Sequence, residues 1–205
     1  MDFITYSHRN ADALLSKHEF NEEWLEVAGI IESISDSDII KTHQLRFAKN
    51  KSISKSLNFL LADRFVALGW KPEAKIFHDG EYDNKCFRLD FAKLKFSIEV
   101  AFNHGEAIAW NLLKPVLASE LNHVQKDINT SVGIMIMATE EMKSACGFDG
   151  AVGTYEKAIR YLKPLQNQLS CPLILIGLNA PKSFSVEHEI ADGKKRAKFI
   201  LKSSL

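Results

Sequence analysis

Within "RLDFAKLKFSIEVAF", residues 88–102, two carboxylates, Asp90 and Glu99, stand in an otherwise apolar and basic stretch. A carboxylate buried without a partner is costly, so the pair calls for a cation, a hydrogen-bond network or an exposed position. A short hairpin between Ala92 and Lys95 brings Asp90 at the end of one strand beside Glu99 on the next, with both able to face one side of a sheet. Two oxygen ligands on adjacent strands, with an open face for water and phosphate, suit Mg2+, which takes only one or two carboxylates and keeps several waters. Such an ion activates water and offsets charge building on a transferred phosphate. The spacing alone is unspecific and gains weight from its surroundings.

The elements that must position the pair can be read from periodicity. Residues 19–34 space Phe20, Trp24, Val27, Ile30, Ile31 and Ile34 at three and four residues, and residues 54–70 do the same with Leu57, Leu60, Leu61, Phe65 and Leu68 before Gly69, so both predict amphipathic helices. "CFRLDF" and "KFSIEVAF" read as strands; in the second, Phe96, Ile98, Val100 and Phe102 face one way and Ser97, Glu99 and Ala101 the other. Residues 106–124 predict a helix kinked at Pro115, and residues 154–169 another. The nearly unbroken apolar runs 131–138 and 171–178 predict strands buried on both faces. The order predicts a single α/β domain over residues 1–205, a mixed central sheet flanked by helices.

Composition narrows the class. With 46% hydrophobic and 25% charged residues the chain has the makings of a sizeable core, and its net charge of zero names no polyanionic partner. The distribution is more telling: between Asp38 and Asp63 there is no acid, while Lys41, Arg46, Lys49, Lys51 and Lys55 alternate with hydroxyl and amide side chains, a segment suited to phosphate. Lys194, Lys195, Arg196, Lys198 and Lys202 form a second cluster; a solvated charged face explains either one equally well. Cys86, Cys146 and Cys171, odd in number and without C-x-x-C pairing, are expected to be reduced core thiols. The N-terminus does not read as a signal peptide and no apolar run approaches the ~20 residues of a membrane span, so a soluble cytoplasmic protein is expected. No Gly-rich phosphate loop or nucleophile motif supports a metabolic enzyme.

Taken in order, "YSHRNADALL", "ALGWK", "LDFAKLKFSIEVAFN", "WNLLKPVLA", "VGIMIMATEEM", "TYE" and "PLILIGL" resemble the BglII/BstYI family of type II restriction endonucleases, built on the PD-(D/E)XK nuclease fold. The resemblance spans roughly residues 5–180. It implies that Asp90 and Glu99 are metal-binding carboxylates, joined by the Val100 carbonyl, and that Glu73 in "GWKPE" adds a further acid. It implies DNA contacts from Asn103 and His104, and base reading in the major groove by residues 143–153, with Ser144 and Asp149 as polar groups. Lys49 and Lys51 are expected on DNA phosphates, and Lys93 or Lys95 is a candidate to approach phosphate at the site. A helix start explains Asn103 and Glu106 without function, and Asn122 and His123 read as structural or dimer-related.

The chain departs from the family at position 101, which usually carries Gln, Glu or Lys and here is Ala101. The leading expectation is a Mg2+-dependent homodimeric endonuclease that hydrolyses double-stranded DNA at a specific, palindromic site, leaving a 5′-phosphate. The alternative is a catalytically impaired DNA-binding protein of the same fold.

Overall fold

The structure describes residues 1–120 and 123–202. In the computed structural model of the chain, six strands form one mixed sheet: β1 (Phe3–His8), β2 (Lys71–Lys75), β3 (Arg88–Lys93), β4 (Phe96–Val100), β5 (Val132–Ala138) and β6 (Leu173–Leu178). Their spatial order is β1-β6-β5-β4-β3-β2. The centre, β4-β5-β6, is parallel, and both flanks are antiparallel. Every residue of β5 and β6 is buried, as their unbroken apolar runs predict.

Helices cover both faces. α1 (Ala11–Leu15), α2 (His18–Ser33), α3 (Asp36–Thr42) and α4 (Ser54–Ala67) bury their apolar residues with Phe96, Ile98, Ile134 and Ile136. On the opposite face α5 (Ile108–Ser119) and α7 (Tyr155–Leu162) pack over Ala101, Met135 and Met137. The alternation along β5 divides these two cores, since neighbouring strand residues point to opposite faces. α4 ends as its sequence predicts: Gly69 adopts φ 80°, Gly69 N donates to Val66 O, and Trp70 N donates to Phe65 O, a Schellman closure.

Three elements differ from expectation. α7 stops at Leu162: Lys163 keeps helical backbone angles, but Pro164 has no N–H to continue the hydrogen-bond ladder. α5 ends at Ser119, with Glu120 extended; the expectation for Asn122 lies outside the described residues, and His123 is exposed with φ 53°. The C-terminal basic cluster forms strand β8 (Lys194–Leu201), with Lys202 just beyond it; β8 pairs with β7 (Phe184–Ala191) so that Glu187 faces Lys198 and Glu189 faces Arg196. These acids offset the basic residues, which supports the solvated-face reading of that cluster.

All three cysteines are free, but Cys86 is exposed rather than buried, because it sits in a 3-10 turn, Lys85–Phe87, at the molecular surface. No helix among the described residues is long and apolar enough to cross a membrane. α6 (Glu140–Ala145) follows β5 and leads into the loop that returns to α7.

Candidate active site

The β3–β4 hairpin turns at Leu94, φ 47°, and its register sets Phe91 opposite Ile98 and Ala92 opposite Ser97. The ladder ends at the Phe91–Ile98 pair, and Asp90 and Glu99 are the next residues on each strand, near enough that Asp90 raises the Glu99 carboxyl. Glu99 also lies abreast of Met135 on β5, so it faces the layer that α5 covers.

Each carboxylate has one oxygen held. Asp90 Oδ2 accepts from Val100 N at 2.7 Å. Glu99 Oε2 accepts from Lys114 Nζ at 2.6 Å, and the same ammonium donates to the Arg88 carbonyl at 3.0 Å. The Lys114 and Glu99 side chains are only 10% and 3% exposed. Glu99 Oε1 is buried and has no hydrogen-bond partner among the described residues.

The electrostatics follow from this burial. Loss of water, reinforced by the neighbouring Asp90, pushes the Glu99 carboxyl up to about 8 against the pull of Lys114. Burial also raises Asp90, opposed by the Val100 N–H and Lys114, while Glu73 adds to the rise. A buried oxygen with no partner among the described residues, on one of two neighbouring carboxylates that resist ionising, fits a cation, which reverses the local preference for protons. No cluster of three or more His, Cys, Asp or Glu residues suited to a metal occurs among the described residues.

The other residues expected at the site take different places. Glu73 lies on β2 abreast of Asp90 in register, between the pairs Pro72–Phe91 and Ala74–Leu89, but its φ of 49° takes it out of the ladder and leaves it exposed. It lines a cavity of about 370 Å³ with Asn58, Pro72, Asp90, Phe91 and Val100. Lys93 and Lys95 do not approach the carboxylates: Lys93 binds Glu26 at 2.7 Å and Lys95 binds Glu19 at 2.5 Å, because both lie at the turn end of the hairpin. Ala101 is 1% exposed and packs in the apolar cluster with Ile108 and Leu112, so nothing polar projects from that position.

Sequence reasoning missed Lys114. A signal was present: Lys114 falls three residues after Asn111 and four before Ala118, both buried, so a charge sits on the inward phase of an amphipathic helix. Asn58, on the cavity wall, carried no such signal, because it is exposed on the outer part of α4.

The residues expected on DNA are exposed or partly exposed, and some of them are linked. Asn103 and His104 follow β4 directly and are exposed. Gly153 N donates to Asn103 O at 2.9 Å, Gly105 N donates to Ala151 O at 2.8 Å, and His104 bridges Val152, so the end of the 143–153 segment is sewn to the chain leaving the carboxylates. Ser144 lies on α6, exposed, with its hydroxyl donating to Glu140 O. Asp149 is paired with Lys51 at 2.6 Å, both about half exposed, and that ammonium holds the Asp149 carboxyl below its usual range. Gly147, φ 70°, permits the close crossing: a Cβ there would stand 2.4 Å from the Lys51 carbonyl. Lys49 is exposed in the turn just before.

Curated protein sequences give no match. Among solved structures, the restriction endonuclease BglII complexed with a DNA 16-mer superposes with a TM-score of 0.68 at 19% identity, over 98% of this chain and 90% of that one. Free BglII superposes with a TM-score of 0.59 at 19% identity, over 98% and 93%. The same fold is therefore present, a six-stranded mixed sheet flanked by helices. A family model described as restriction endonuclease BglII/BglIII matches residues 3–178, from β1 to the end of β6, so the chain belongs to the BglII/BglIII restriction endonuclease family.

Proposed function

We propose that this type II site-specific deoxyribonuclease is a Mg2+-dependent homodimer that hydrolyses phosphodiester bonds of double-stranded DNA at a palindromic site. The observation that carries the reading is that Asp90 and Glu99 stand on adjacent strands, the Asp90 carboxyl raising that of Glu99, with Glu99 Oε1 buried and without a hydrogen-bond partner among the described residues. Asp90, Glu99 and the Val100 carbonyl are the groups to hold the ion. When bound, a divalent cation supplies an activated water and offsets the charge gathering on the phosphate. The protein's own part is positional: Val100 N fixes Asp90, and the sheet fixes the separation of the two carboxylates.

DNA is held by residues outside that pair. Lys49 and Lys51 are the candidates for phosphate contact and Ser144 and Asp149 for base edges, supported by the Lys51–Asp149 ion pair; Asn103 and His104, joined by backbone to residues 151–153, are further candidates for DNA contact. The solved complex of BglII with a DNA 16-mer supports DNA as the partner. For the dimer, α5 offers Trp110, 36% exposed, as an aromatic anchor, and two-fold symmetry suits a palindrome.

The rival reading, a DNA binder that has lost the chemistry, draws on Ala101. Purified protein incubated with mixed-sequence plasmid and Mg2+ or Mn2+ is expected to cut it, whereas Asp90→Ala and Glu99→Ala should lose cleavage by 10³-fold or more (about 4 kcal/mol) and keep salt-sensitive DNA binding. Sedimentation of the same samples should give twice the 23.1 kDa chain mass. Binding without cleavage by the wild type under either ion would favour the binder instead.

A further inference from the structure

We propose that Lys114 is the positioning residue that this site uses in place of a polar side chain at position 101, holding Glu99 so that Oε1 faces the cation; this rests on the nuclease reading of the Asp90/Glu99 pair. Position 101 contributes nothing itself, since the alanine methyl is sealed in the core. The lysine arrives from α5 and grips Glu99 Oε2 at 2.6 Å, while the Arg88 carbonyl, 3.0 Å away, fixes the ammonium from the β3 side. With Oε2 taken, the oxygen left for a ligand is Oε1, the one that has no protein partner among the described residues.

A purely structural role does not explain the lysine. A buried ion pair is usually no more stabilising than apolar residues of the same volume, and breaking one leaves a costly unpaired charge. An apolar residue at position 114 would match its buried neighbours Leu112, Pro115 and Val116. Two features bring the ammonium within reach. Gly133 on β5 lets the helix settle onto the sheet, for a Cβ there would stand 2.5 Å from Pro115 Cβ. Pro115 is the next residue after the lysine, so the contact that seats the helix also sets the depth of Lys114. Lys93 and Lys95, the other lysines near the hairpin, are committed to Glu26 and Glu19.

The test is a double-variant cycle read by Mn2+ binding to DNA-free protein, measured from the electron paramagnetic resonance of free Mn2+, with plasmid cleavage in Mg2+ as a second readout. Lys114→Met, Glu99→Gln and the double variant are compared with wild type, their folding checked by circular dichroism. Should Lys114→Met fail to fold, Lys114→Gln, which retains a donor, takes its place. Each single variant is expected to weaken Mn2+ binding at least tenfold, and the double variant no further than the weaker single, because both residues act through one carboxylate. Cleavage should fall at least a hundredfold in both singles. Unchanged Mn2+ affinity in Lys114→Met, unchanged affinity in Glu99→Gln, or losses that add in the double variant would each overturn the proposal. A wild type that cuts no DNA yet shows the non-additive loss of Mn2+ would leave Lys114 in its role and remove the nuclease reading instead.

Discussion

Glu99 receives opposing instructions from its neighbours. Burial and Asp90 favour the neutral acid, and Lys114 favours the carboxylate; the first two prevail and raise its pKa to about 8. In metal-free protein the folded state therefore binds this proton more tightly than the unfolded chain does. The resulting stabilisation is complete below the ordinary carboxylate value and is lost as pH rises through the folded value near 8. Denaturant unfolding in EDTA is expected to show wild-type stability falling between about pH 5 and pH 8 more steeply than that of Glu99→Gln. Mg2+ should remove the difference, and equal slopes without metal would show Glu99 already ionised at neutral pH. At this scale the sequence exposed Asp90 and Glu99 because carboxylates in an apolar strand pair stand out. It hid Lys114 because a lysine in a helix is ordinary until its phase is compared with that of its buried neighbours.

Among the elements, α5 and β5 determine whether the site assembles. Gly133 is the point of closest approach, and Gly133→Ala would drive a methyl into Pro115 and into Leu173 Cδ2, 2.5 Å away. Overpacking of this kind costs about 1–3 kcal/mol. Thermal unfolding of Gly133→Ala should register that loss, and because Lys114 moves with Pro115, cleavage should fall by more than DNA binding does. A variant with wild-type melting and cleavage would mean that the helix and strand relax freely at this contact. The buried strands and long helices were legible because a period of two or of three to four residues is imposed by burial itself. β1, β2 and the β7–β8 pair were not, since each has a largely exposed face and so lacks an unbroken apolar signature. The spurious extension of α7 to residue 169 came from reading apolar spacing past a proline that ends the helix.

Across the whole molecule, folding gathers segments far apart in the chain onto one surface: Lys51 meets Asp149, Ile53 N donates to Cys146 O, and His188 on β7 contacts the carbonyls of Lys51 and Gly147. The basic segment and the 143–153 segment thus act as one surface, which their separation in the sequence concealed. Lys51→Ala is expected to weaken DNA binding alike across sequences and to reduce the slope of log affinity against log salt by about one. An unchanged slope would place Lys51 off the phosphate path. The C-terminal basic strand, by contrast, faces Glu187 and Glu189 across the hairpin, and its Arg196 pairs with Asp192.

The backbone seam between residues 103–105 and 151–153 reaches further than its two hydrogen bonds. It joins the segment proposed to read bases to the stretch that leaves Val100, only a few residues from the carboxylates. On the proposed reading, a mismatched target seated poorly by the segment is expected to be felt at the β4 exit through these bonds, so mismatches should slow the cutting of a bound site more than they weaken its binding.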